Sequence, residues 1–140
     1  MLLNAKYVSN FFDTVSCTQL SSVTVEPSSI HKTQKPDMAT VVVQVALAGE
    51  APPDSKVTVA VGTYSSDPPG NNVNYSPISQ TVPVNRKGVT VLKFVVEASS
   101  KTVQGKLRVA ASIRETTSGI NFRRSEEPKD WIAELETSNP

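Results

Sequence analysis

One imidazole, one thiol and a clustered set of carboxylates bound the chemistry open to this chain. His31 is the only histidine and sits in the polar stretch Ile30, His31, Lys32, Thr33, Gln34, Lys35, Pro36, which reads as a solvated surface connection. The members of a Ser-His-Asp triad come from distant parts of a chain, so spacing leaves one open, yet nothing here supports it. The sequence has no Gly-x-Ser-x-Gly elbow to lift a serine, no glycine-rich loop to cradle phosphate and no pair of histidines to hold zinc. Cys17 stands alone, which rules out an intramolecular disulfide and leaves a thiolate metal cluster without ligands. Glu126, Glu127, Asp130, Glu134 and Glu136 crowd the tail, where a solvated face is a simpler use for them than a glycosidase pair. The expectation is a protein that is not an enzyme and carries no cofactor or metal.

Two groups of residues offer binding instead. The loop Ser65, Ser66, Asp67, Pro68, Pro69, Gly70, Asn71, Asn72 is flanked by Tyr64 and Tyr75. Its oxygen donors suit a hard cation, but one carboxylate is too few for calcium. Tyrosines beside the amides of Asn71 and Asn72 suit stacking on a sugar or gripping a peptide, against the plainer reading of a turn-rich connection. The second group is basic. From Lys101 to Arg124 the cations Lys101, Lys106, Arg108, Arg114, Arg123 and Arg124 are opposed only by Glu115. With Leu107, Val109, Ala111 and Ile113 inward, Lys106, Arg108 and Arg114 share the outer face and Arg123 joins them across a hairpin. An anionic polymer or an acidic protein fits such a face. Base-stacking aromatics are missing from these strands, which counts against nucleic acid. The simplest alternative is that the acidic tail folds back as a helix and neutralises the patch.

The elements that must carry these groups are strands. Apolar residues recur with period 2 between residues 20 and 124, in seven runs: Val23 and Val25; Val41 to Leu47; Val57, Val59 and Val61; Ile78, Val82 and Val84; Val89, Val91, Phe94 and Val96; Leu107 to Ile113; Ile120 and Phe122. Pro77 and Pro83 mark the fourth as an edge strand or an irregular crossing. The fifth changes phase near Leu92, which predicts a bulge or burial on both faces. The last two runs, joined by Glu115, Thr116, Thr117, Ser118 and Gly119, should form a hairpin. No helical period separates the strands, so the architecture is all-β: an antiparallel sandwich of about seven strands, with a partly open barrel as the alternative. Val43, Val45, Val59, Val61, Phe94, Val109 and Ile113 are the expected core.

Ten prolines among many valines, threonines and serines agree with that reading, and 140 residues suit one domain. A net charge of +1 gives no global field to draw in a polyanion or an anionic membrane. Leu2 and Leu3 are soon interrupted by polar residues, so no signal or membrane span is expected and synthesis in the cytoplasm follows. Both ends differ from the middle. Leu3, Tyr7, Phe11 and Val15, with Phe12 beside them, predict an amphipathic helix over 2–16, packed on its own sandwich or joining subunits. Ser125 as N-cap, with Glu126 and Glu127, predicts a short helix holding Trp131, Ile132 and Leu135. The expected organisation is an extension at 1–18, a sandwich at 19–124 and an acidic tail at 125–140.

The stretch Ser22, Val23, Thr24, Val25, Glu26, Pro27, Ser28, Ser29, and later Gly88, Val89, Thr90, Val91, Leu92, Lys93, Phe94, resembles the strands of bacterial immunoglobulin-like domains over roughly residues 20 to 124. The resemblance implies a spacer, adhesin module or decoration of a phage or surface structure, and no catalytic residue. The leading functional expectation is a structural or assembly module, such as a virion component, that self-associates or binds a protein partner through the N-terminal stripe. The alternative is a carbohydrate- or peptide-binding module using the tyrosine loop.

Overall fold

The computed structural model describes residues 16–64, 72–86, 88–117 and 120–139. These residues form ten strands: β1 (Ser16–Glu26), β2 (Ser29–His31), β3 (Asp37–Ala48), β4 (Lys56–Thr63), β5 (Asn74–Ser76), β6 (Ser79–Pro83), β7 (Val89–Ala98), β8 (Gly105–Thr116), β9 (Ile120–Arg123) and β10 (Ile132–Ser138). They assemble two five-stranded sheets, ordered β5-β7-β3-β1-β9 and β2-β10-β8-β4-β6. The neighbours β1-β3-β7 in one and β10-β8-β4 in the other reproduce the A-B-E and G-F-C adjacency of an immunoglobulin-like sandwich. Between β1 and β2 the chain changes sheet, so β1 pairs with β3 while β2 runs parallel to β10.

Strict alternation builds the core. Val41, Val43 and Val45 of β3, Val57 and Val59 of β4, Leu92, Phe94 and Val96 of β7, and Leu107 and Val109 of β8 are all buried. Each side chain buried between the sheets contributes roughly 1.5–3 kcal/mol by leaving water. Polar residues enter the interior only with partners: the buried Thr137 hydroxyl, for example, reaches the carbonyls of Val103 at 2.7 Å and Gly105 at 3.1 Å. Among the described residues no buried side-chain nitrogen or oxygen lacks a hydrogen bond.

The seven expected runs coincide with β1, β3, β4, β6, β7, β8 and β9, and the proline-interrupted β6 is indeed an edge strand. Three further strands raise the count. β2 and β5 are three residues each, too short to show a period, and β10 covers residues whose spacing predicts a helix. In β7 no bulge interrupts the pairing with β3, which is continuous from Asp37↔Ala98 to Ala46↔Val89. The inward residues are the even-numbered ones throughout, so Val89 and Val91 face outward at 40% and 51% exposure. Ile113 is only half-buried, because the β4–β8 register slips between Thr58 and Val59.

Two larger corrections concern the C-terminal third. β8 and β9 do not form a hairpin: β4 and β10 occupy both edges of β8, and β9 instead pairs in parallel with β1, Ser16 opposite Ile120. The residues expected as a helical tail contain one 3-10 turn, Pro128–Asp130, followed by β10. Trp131, Ile132 and Leu135 have helical spacing, but the vacant edge of β8 offers a whole ladder of hydrogen bonds, and Leu135 is fully buried in strand alternation. Residues 125–139 therefore belong to the sandwich, and so do Ser16, Cys17 and Thr18, which the expected boundary at 19 leaves out. The apolar stripe of Leu3, Tyr7, Phe11, Phe12 and Val15 lies outside the described residues.

Candidate functional site

Alternation that sends Val57, Val59 and Val61 inward sends Ala60, Gly62 and Tyr64 to the outer face of the second sheet. On the adjacent β8, Ala110 and Ser112 take the same face. Four small residues side by side leave a trough. An added Cβ on Gly62 would meet nothing within 4 Å, so the space above that strand is open. The resulting groove, about 390 Å³, is walled by Tyr64, Trp131, Arg114 and Arg124.

Each wall has a local cause. The Trp131 indole N–H donates to the carbonyl of Ser125 at 3.1 Å, while the Ser125 hydroxyl donates to Asp130 Oδ2 at 2.6 Å and accepts the N–H of Glu127 at 3.1 Å. This web fixes the turn that delivers the ring, which packs against Tyr64 at 5.8 Å between centroids and 57° between planes. Cations cover both rings: the Arg108 guanidinium lies 4.6 Å from the Tyr64 centroid and that of Arg124 3.6 Å from Trp131. Arg114 owes its position to the register slip, since Thr58 pairs with Glu115 and Val59 with Ile113, leaving Arg114 without an opposite residue. Such a bulge re-aims the side chain it carries.

The expected basic face is redistributed. Lys106 and Arg108 lie on β8 but stand opposite Glu136 and Glu134 of β10. The acids do fold back onto the cations, as a neighbouring strand and not as a helix. Arg123 belongs to the other sheet, where its Nε donates to Gln19 Oε1 at 2.7 Å. Arg114 alone of the four lines the groove, joined by Arg124.

The tyrosine loop separates as well. Tyr64 enters the groove, whereas the Tyr75 hydroxyl hydrogen-bonds to the Thr63 hydroxyl at 2.8 Å from the opposite sheet. Asn72 is tied to the turn after β7, donating to the Lys101 carbonyl at 3.3 Å and accepting from the Thr102 hydroxyl at 2.9 Å. Asp67 and Asn71 lie outside the described residues. His31 is exposed on β2, sharing a 2.8 Å hydrogen bond with the Ser138 hydroxyl. Sequence reasoning passed over Trp131 as a packing residue and missed the small floor. The signal was the residue size at outward positions, Ala60 and Gly62 beside Ala110 and Ser112.

No family model matches the chain, and no curated protein matches it. Among solved structures it is similar to the apo-form Calx CBD1 domain, at 8% identity over 90% of this chain and 98% of that one, with a TM-score of 0.48. It is similar also to the CARDB domain of PF1109 from Pyrococcus furiosus, at 16% identity over 90% and 96% of the two chains, with a TM-score of 0.49. A structure of that CARDB domain in complex with di-metal ions gives 17% identity, 89% and 94% coverage, and a TM-score of 0.47. Among the described residues, no cluster of three or more His, Cys, Asp or Glu side chains is arranged to hold a metal, and no helix is long and apolar enough to cross a membrane.

Proposed function

We propose that this chain is a non-catalytic interaction module that works through protein–protein contacts, with the groove over Ala60, Gly62, Ala110 and Ser112 as its working surface. The observation that carries this is the open trough itself: an aromatic pair stands beside a floor that the chain's own side chains leave uncovered. A partner segment laid there meets the small floor and the half-buried Tyr64 at little conformational cost, because Tyr64 is already packed against Trp131. Set within this reading is a finer one, a subunit of a larger particle such as a virion or surface structure, made in the cytoplasm. A carbohydrate ligand is the weaker reading, because a sugar needs a bare aromatic face and Arg124 already lies 3.6 Å from the Trp131 centroid.

The test is selection of extended peptides from a display library on the immobilised full chain and on Gly62→Leu, which places a branched side chain in the open space. Peptides enriched on the native chain and lost on Gly62→Leu support the groove. Equal enrichment on both chains, or none on either, overturns it.

A further inference from the structure

Arg114 and Arg124 are both exposed, and both line the groove, whose wall and floor contain no carboxylate. Neither forms an ion pair with any described residue. Lys106 and Arg108 differ in their surroundings, since each stands opposite a glutamate of β10 in the strand register. Glu126 and Glu127 are close in sequence to Arg124, yet they line a separate depression with it, outside the groove. The register thus sets glutamates opposite the cations along β10, whereas none of the residues lining the trough around Arg114 and Arg124 is acidic. The bulge on β8 displaces Arg114 from the regular pairing that would set its charge against a partner strand.

We propose that the groove takes an extended acidic segment of a partner protein, with carboxylates held by Arg114 and Arg124 and the intervening chain lying across Gly62 beside Tyr64 and Trp131. This rests on the interaction-module reading and adds the chemical class of the partner. Guanidinium groups suit the task because their fixed fork accepts a carboxylate through two parallel hydrogen bonds. An extended segment fits because the floor from Ala60 to Tyr64 spans about 13 Å along one strand. Complementary charge of this kind governs choice of partner and rate of encounter more than total affinity.

The experiment is fluorescence anisotropy of the full chain with a labelled peptide of alternating Glu and Ala, beside the same peptide with Gln for Glu. A shorter polyphosphate and a single-stranded oligonucleotide serve as competitors. The native chain should bind the Glu peptide at least about tenfold more tightly than the Gln peptide, with the preference shrinking as salt rises. Arg114→Gln, on an exposed bulge and safe for folding, should remove most of that preference. Arg124→Gln should do the same, and Arg124→Lys should restore part of it. If both peptides bind equally and both are lost on Gly62→Leu, the acidic preference is wrong while the interaction module stands. Glu-peptide binding that survives both Gly62→Leu and Arg114→Gln places the cation site elsewhere and overturns the proposal. So does stronger binding of polyphosphate or oligonucleotide through the same arginines, or failure of the Glu peptide to bind.

Discussion

At the scale of single residues, Thr137 shows how this sandwich admits a polar group to its interior. Its hydroxyl is shared between two carbonyls, and its methyl group fills space that serine would leave empty. Thr137→Val keeps the shape and strands both acceptors, so a loss of about 1–3 kcal/mol is expected in urea unfolding. Thr137→Ser should keep the bonds and lose less. Phe94 makes the complementary case: among the described residues it is the largest fully buried side chain, and Phe94→Ala should lower stability by about 3–5 kcal/mol. A much smaller effect would mean that β7 presents its other face to the core.

At the scale of elements, β10 decides whether the C-terminal residues are structure or appendage. It fills the edge of β8 and seats β2 on its own far side, so a chain ending at Asp130 would expose two strands at once. That truncation should lose the cooperative unfolding transition, as followed by circular dichroism. A folded, cooperative product would contradict the pairing described. The runs in β3, β4 and β8 are legible because alternation over five or more residues is hard to imitate by chance, whereas those in β1 and β9 rest on two apolar residues each. β10 is not legible, because Trp131, Ile132 and Leu135 satisfy a helical spacing and a strand reading equally, and only the vacant edge of β8 chooses between them. The phase of β7 misled for a related reason: Val89 and Val91 are apolar yet outward, so residue type alone assigned them to the wrong face. The groove was the least visible feature. It is made by what is absent from Ala60, Gly62, Ala110 and Ser112, and by Trp131 arriving from the turn before β10, a strand that the sequence pattern does not pair with them.

At the scale of the whole molecule, the assembly reading predicts that the full chain is oligomeric by light scattering and that deletion of residues 1–14 yields a folded monomer. The deletion stops there because Ser16 already pairs with Ile120 and the ladder to β3 begins at Cys17. Two folded monomers would sink self-association and leave the groove as the working surface. The exchange of sheets between β1 and β2 has a mechanical corollary. Because β2 lies parallel to β10, Ser29 to His31 against Glu136 to Ser138, tension applied through Ser16 and Asn139 pulls the two strands in opposite directions along their length. Their hydrogen bonds, together with those from Glu136 to Ser28 and from Lys32 to Ser138, are then strained in shear and must fail together, not one by one as in a zipper. Single-molecule stretching through Ser16 and Asn139 should therefore need a higher force than pulling in a direction that peels β2 from β10 one bond at a time.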